Sequence, residues 1–368
     1  MRRIGLILAL LVAVPAAAQE ANKTPLAPQQ GGTSAVEAIL TEAPQGTRFG
    51  LLVVDAQGRT IMARDPDGRF MPGSVTKLFT TAAALALLPG TDEADVAGGT
   101  QVWLDPVAGS KTPDVRLVGR GDARMSSAPD CRQDCLASLA DAVAARTRQV
   151  RHVIGDASLW PDQRWAPGMS WNNIGTSSGT AVSALNLDDN LVRVTITPTR
   201  PGQPPQVSLA GPLTLRNESR TVDADQPLTL AIERPVNGTE LRIYGDIPAG
   251  TAPVTRRVGI DDPARTAAWS LRRMLEARGV KVRGAERAVY RPVDGFDRAG
   301  PNTFASISAA GSQAPLATLL PPPLVEDVTV INKQSQNLHA QALHRRLGLI
   351  EGTGSEEAVP AITPSALA

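Results

Sequence analysis

Ser74 and Lys77 stand three positions apart in the segment Met71-Pro72-Gly73-Ser74-Val75-Thr76-Lys77, and Leu78 to Leu88 after them read as a helical run. Three residues make slightly less than one helical turn, so a helix that starts at Ser74 puts the hydroxyl and the amine on one face. A buried amine there can take the proton from the serine and make it a nucleophile. At a helix start the free N–H groups and the positive end of the dipole also face the serine. The spacing is common by chance, and the competing reading is an ordinary N-cap beside a solvated lysine. A second set of residues shifts the balance. Ser335-Gln336-Asn337 stands directly before the helical pattern Leu338 to Leu347. A hydroxyl at such a helix entrance can relay protons, and an amide can orient a substrate. Ser170-Trp171-Asn172 repeats the pattern in an aromatic, Pro- and Gly-rich loop with no helix after it, so Ser335 is preferred.

The elements around these residues are legible in outline. Phe49 to Ala63 reads as a β-hairpin turning at Gln57-Gly58, immediately before the serine helix. From about residue 91 the texture changes to short strands, turns and Pro-Gly clusters. Val115 to Asp122 reads as a strand ending in a glycine turn, Leu136 to Arg148 as a helix, and Val192 to Ile196 and Leu213 to Leu215 as strands. Arg265 to Arg278 reads as a helix that stops at Gly279. Ser74 and Ser335 are 261 positions apart. If they act together, a large insertion loops out between them.

Composition narrows the class. The 368 residues carry a formal charge of +1, which gives no support for nucleic-acid binding. Residues 1–18 have the form of a secretory signal. Arg2 and Arg3 lead an apolar run too short to span a bilayer, and Ala16-Ala17-Ala18 offer a cleavage site. No membrane span follows, and the expected location is a bacterial periplasm. In that oxidising compartment Cys131 and Cys135 are placed to form a local disulfide, with two free thiols at a helix start as the alternative. A metal site lacks further ligands near the cysteines, and His339 and His344, five apart, do not share a helix face well. No metal or organic cofactor is expected.

Taken together, these blocks resemble the type-4 low-molecular-mass penicillin-binding proteins, the D-Ala-D-Ala carboxypeptidase/endopeptidase branch. The resemblance is carried by Met71 to Thr80, Leu117 to Asp122, Ala166 to Trp171, Ser183 to Asn190 and Lys333 to Asn337, and so spans roughly residues 35–355. It implies an α/β (α+β) fold, a β-lactamase/transpeptidase-like domain with a large β-rich insertion. The implied division is residues 19–90 and 285–368 as a split catalytic domain and residues 91–284 as the inserted region. It implies a serine peptidase acting on peptidoglycan stem peptides and acylated by β-lactams, with Ser74 as nucleophile, Lys77 as base, Ser335 as proton relay and Asn337 holding the substrate amide. By the same resemblance Asp156 faces the amine of the peptide's diamino acid, although a turn-capping aspartate is the stronger reading. The pattern breaks at the third motif. No KTG occurs, and only 31 residues follow Asn337. The expectation is that the C-terminal strands are missing and that this form lacks an oxyanion donor, typically worth about 100- to 1000-fold in rate. The rival readings are a truncated, non-catalytic penicillin-binding relative and a β-lactamase-like hydrolase.

Overall fold

The computed structural model describes residues 32–293, 297, 314–350 and 352–356. The expected signal at 1–18 and the final residues lie outside them. The described chain divides into two units, with the boundary between Gly73 and Ser74.

The first unit holds helix α1 (Gly32–Thr41) and the hairpin of β1 (Leu51–Val54) and β2 (Thr60–Arg64). The strands pair antiparallel, Leu51 opposite Arg64, across the turn at Gly58, whose φ of 77° suits glycine. Arg64 reaches Glu37 on α1 at 3.0 Å.

The second unit opens with a 3₁₀ turn, Gly73–Thr76, that leads into α2 (Lys77–Leu87). Strands β3 (Gln101–Asp105) and β4 (Asp114–Val118) follow, then α3 (Leu136–Arg146), β5 (Gln149–Val150) and β6 (Val153–Pro161). A run of short strands comes next: β7 (Leu191–Thr197), β8 (Gln206–Ala210), β9 (Thr214–Val222), β10 (Ala231–Glu233), β11 (Glu240–Pro248) and β12 (Val254–Gly259). The chain returns through α4 (Pro263–Ala277), β13 (Lys281–Val282), β14 (Glu286–Arg291) and β15 (Ala317–Thr318) to α5 (Leu324–Gln334) and α6 (Asn337–Leu347).

Five strands form the main sheet in the order β14-β6-β4-β3-β15. Its β14-β6-β4 part is parallel, and β3 pairs antiparallel with both neighbours. Helices α3 and α4 cover it. Ala264, Ala267, Ala268, Leu271 and Leu275 recur at helical spacing on α4 and are buried against Val115, Leu117 and Val153 of the strands. Asp262 caps α4 by accepting from the Arg265 N–H, Pro263 fits the first helical position, and Gly279 follows the end at φ 78°. Burying Leu271 and Leu275 stabilises this layer by about 1.5–3 kcal/mol each. The small strands make two three-stranded sheets, β12-β7-β8 and β10-β11-β9. Val194, Ile196 and Val258 of one pack with Leu241, Ile243 and Ile247 of the other in a separate core. A third cluster joins Ala84 of α2 with Val328 and Ile331 of α5 and Leu343 and Leu347 of α6. That cluster positions the residues singled out by the sequence.

Cys131 and Cys135 are joined as a disulfide at the start of α3. Between them Asp134 is buried at φ 56°. Burial first, and the neighbouring Asp122 carboxylate second, push its pKa up to about 9.

The strand read at Val115 ends in its glycine turn as expected, and one helix escaped the sequence reading. The strand at Val115 stops at Val118, because Gly119 runs against the Ala184–Leu185 backbone, where a Cβ would lie 2.2 Å from the Ala184 carbonyl oxygen. The segment Leu324–Gln334, with its β-branched run Val328-Thr329-Val330-Ile331, gives no clear sequence signal and is a helix. Burial of Val328 and Ile331 against α2 and α6 overrides the weak local preference. Gly155 in the middle of β6 is the tightest joint of the sheet, since a Cβ there would lie 2.0 Å from the backbone oxygen of Ala264 on α4. Gly155→Ala should therefore destabilise the unit by about 1–3 kcal/mol, a drop of roughly 2–10 °C in melting temperature by calorimetry. An unchanged melting temperature would show that α4 can move aside.

Candidate active site

The Ser74–Lys77 spacing works through a tighter turn than the sequence implies. Ser74 lies in the 3₁₀ turn and Lys77 is the first residue of α2. In a 3₁₀ turn residues three apart eclipse one another, so the two side chains stack directly. Lys77 Nζ lies 3.1 Å from Ser74 Oγ.

The second pair arrives on a different element. Helix α5 ends at Ser335, which takes the left-handed conformation (φ 57°, ψ 38°), and α6 starts at Asn337. Gln336 caps α6, its side chain accepting from the Leu338 N–H. The left-handed residue folds α6 back against α5 and turns the Ser335 hydroxyl toward Ser74, to which it donates at 2.7 Å. Lys77 Nζ reaches Ser335 Oγ at 3.4 Å and Asn337 Oδ1 at 2.6 Å. Four side chains from two segments thus form one hydrogen-bonded cluster around a single amine. Ser74 Oγ is exposed to a substrate, and Lys77 is half-buried. Burial holds the Lys77 pKa below its ordinary value, which favours the neutral amine that a general base must be.

The other residues fall elsewhere. Ser170 donates to its own neighbour Asn172 at 2.6 Å on an exposed turn, outside the cluster. Asp156 is buried on β6, where it accepts from the N–H and hydroxyl of Ser158 and from Arg116. Its carboxylate is thereby engaged by Ser158 and by Arg116 of β4, inside a strand rather than at a turn.

Several supporting residues escaped the sequence reading. Thr81, one turn after Lys77, and Asn332, one turn before Ser335, exchange hydrogen bonds and lock α2 to α5. Helical spacing from the two motifs would have found both. Asn337 Nδ2 donates to the Ser178 carbonyl at 2.8 Å, so a loop far from both motifs fixes the orientation of this amide. That loop hangs on a buried polar frame. Asn190 donates to Ala181 O at 2.8 Å and to Asn186 Oδ1 at 2.7 Å, while Asn186 donates to Asp122 O at 3.1 Å.

His339, two residues past Asn337, is buried between Asp327 of α5 at 2.6 Å and Asp189 at 2.9 Å. Burial alone disfavours the imidazolium, but the two carboxylates more than offset it and raise the pKa from 6.5 to about 9. A group whose pKa rises on folding contributes stability that is complete below its unfolded pKa and disappears as pH climbs through the folded one. The fold should accordingly lose stability between pH 6.5 and about 9. Melting curves across that range should show the decline, and His339→Gln should flatten it. A variant with the same slope as the parent would exclude His339 as its source.

Comparison with known proteins agrees with the geometry. Residues 33–364 match the model of the D-Ala-D-Ala carboxypeptidase 3 (S13) family. A D-alanyl-D-alanine carboxypeptidase of Actinomadura sp. is 32% identical over 327 residues, covering 85% of this chain and 56% of the relative. The chain spans about half the length of the curated relatives it matches. Among solved structures, penicillin-binding protein 4 of Haemophilus influenzae superposes with a TM-score of 0.68 at 18% identity, over 90% of this chain and 70% of that one. The same protein complexed with a β-lactam gives 0.60 at 15% identity, over 88% and 68%. The mixed α/β architecture is therefore the penicillin-binding protein 4 fold. With nearly its whole described length matched by one family model and a curated relative above 30% identity, the chain belongs to the D-Ala-D-Ala carboxypeptidase 3 (S13) family.

Proposed function

We propose that this chain carries the acyl-enzyme chemistry of a serine-type D-Ala-D-Ala carboxypeptidase/endopeptidase acting on peptidoglycan stem peptides. The observation that supports it most is the convergence of Ser74, Lys77, Ser335 and Asn337 on one amine. Neutral Lys77 takes the proton of Ser74 as Oγ attacks the carbonyl between the two terminal D-alanines. The Ser74 N–H, at the start of the turn that leads into α2, faces the developing oxyanion. Ser335 passes a proton to the leaving amine, and the tetrahedral intermediate collapses to an ester on Ser74. Asn337 holds the substrate amide and, through its bond to Lys77, the base. Water then attacks the ester and frees the serine. A β-lactam enters by the same first step. Its amine leaving group stays tethered in the opened ring, which keeps the adduct in place.

The reading extends to organisation and location. Residues 19–90 and the segment from α5 onward make the transpeptidase-like part. Residues 91–284 are inserted into it together with β14 and β15, which complete the main sheet beside β6 and β3 and so move the expected boundary at 285. Residues 1–18 direct export to the periplasm. No helix among the described residues is long and apolar enough to cross a membrane.

Labelled penicillin should mark a peptide that contains Ser74, and Ser74→Ala should abolish the mark; label retained in that variant would refute the nucleophile. The acylation rate should rise with pH toward the Lys77 pKa, with its midpoint below 10.5 because burial lowers that value. Lys77→Ala should remove the dependence and cost about 10²- to 10⁴-fold in rate. Ser335→Ala should slow acylation strongly while Ser170→Ala leaves it near the parent's. The reverse ranking would reassign the relay.

A further inference from the structure

We infer that the inserted region carries a binding cleft for the glycan of the cell-wall polymer, a strand of β-1,4-linked N-acetylated hexosamines stacked on Trp171. The cleft has a volume of about 580 Å³, within the range of small-ligand sites. One wall is the turn that holds Trp171 and Asn172. The floor is apolar, with Ile232 of β10 and Val258 of β12, and Arg256 stands at the rim. Trp171 is 80% exposed. An indole left mostly in water on a short, hydrogen-bonded 3₁₀ turn presents a flat apolar face to a partner. A hexosamine ring has the complementary form, with an apolar C–H face for the indole and polar groups around its edge for an amide and a guanidinium. Asn172 supplies an amide N–H, its Oδ1 already accepting from Ser170. Arg256 is exposed, gives one N–H to Thr255 O at 3.1 Å and has no carboxylate partner among the described residues, so its other donors can reach a ligand.

The cleft is rigid and joined to the catalytic cluster. Arg234 in its wall is held by both oxygens of Asp261 at 2.5 Å and by Gly259 O at 2.9 Å. Thr176 and Ser177 line the cleft, and the next residue, Ser178, accepts from Asn337. On the same side Arg257 pairs with Asp189 at 3.7 Å, and Asp189 holds His339. A stem peptide that reacts at Ser74 is attached to a sugar of the wall strand, so the rest of the substrate must lie on a surface that adjoins the site. This cleft is such a surface, and it presents sugar-binding chemistry. The inference rests on the proposed reaction in that sense only.

The test is direct binding to the full chain. The β-1,4-linked tetramer of N-acetylglucosamine should bind saturably in calorimetry and shift the tryptophan emission. Trp171→Ala should weaken binding about tenfold, Trp171→Phe should retain most of it, and Arg256→Gln should fall between them. If the alanine variant does not fold, the phenylalanine and glutamine variants still rank the contacts. No saturable binding up to millimolar tetramer, or equal affinity in every variant, would overturn the inference. So would sedimentation showing a second copy of the chain masking Trp171. Penicillin labelling of Ser74 reads the catalytic proposal separately. Labelling without tetramer binding sinks the cleft alone, and tetramer binding without labelling sinks the reaction alone.

Discussion

The site depends on how one amine is solvated. Lys77 has given up much of its water and receives Ser74 Oγ, Ser335 Oγ and Asn337 Oδ1 in return. Those three acceptors match the three N–H bonds of an ammonium. Hydrogen bonds to a charged group are worth about 1.5–3 kcal/mol each, and desolvation of the charge opposes them. Here burial dominates, and the pKa falls. The cluster therefore holds the lysine in place by contacts that suit its charged form, inside surroundings that favour its neutral one. A group in that condition exchanges a proton with a neighbouring hydroxyl at low cost, which is what the proposed acyl transfer demands of it. The rest of the described second unit serves to bring Ser335 and Asn337 to that amine.

Two mechanical devices do so. The apolar cluster of α2, α5 and α6 sets the helices side by side, and the Thr81–Asn332 pair fixes their register close to the reacting groups. The left-handed Ser335 then aims its own hydroxyl by backbone conformation rather than by rotamer choice alone. The segment between β6 and β7 takes part as well. Through the Ser178 carbonyl and Asp189 it holds the first turn of α6 from the outside. Asn337 is thus clamped between Lys77 and the Ser178 carbonyl.

How much of this the sequence disclosed follows from the range of each interaction. Ser74, Lys77, Ser335 and Asn337 were readable because each pair is a local pattern beside a helix. Helix α4 was readable because its cap, its apolar spacing and its terminal glycine all lie within its own span. Helix α5 was not, because its β-branched residues are helical only once α2 and α6 cover them. His339 looked like an isolated histidine. Its partners Asp189 and Asp327 lie 150 and 12 positions away, and no local rule links them. The role of Ser178 rests on a backbone carbonyl, which any residue type could supply. Asp156 shows the converse, a conspicuous aspartate whose surroundings consume it locally.

The 261-residue separation of Ser74 and Ser335 has a consequence for the order of folding. Loop-closure entropy grows only logarithmically, about 0.6 kcal/mol for each doubling of loop length, so the long insertion burdens the final equilibrium little. Its effect is on the route. The main sheet itself pairs β3 with β15, which lie far apart in the sequence, and contacts between such distant segments form slowly. Helix α2, with 11 residues, is marginal alone, and Lys77 and the neighbouring Ser74 lack Ser335 and Asn337 until α5 and α6 have docked. The proposed nucleophile is thus assembled only when α5 and α6 dock on α2, and a chain short of that step exposes a serine without its partners.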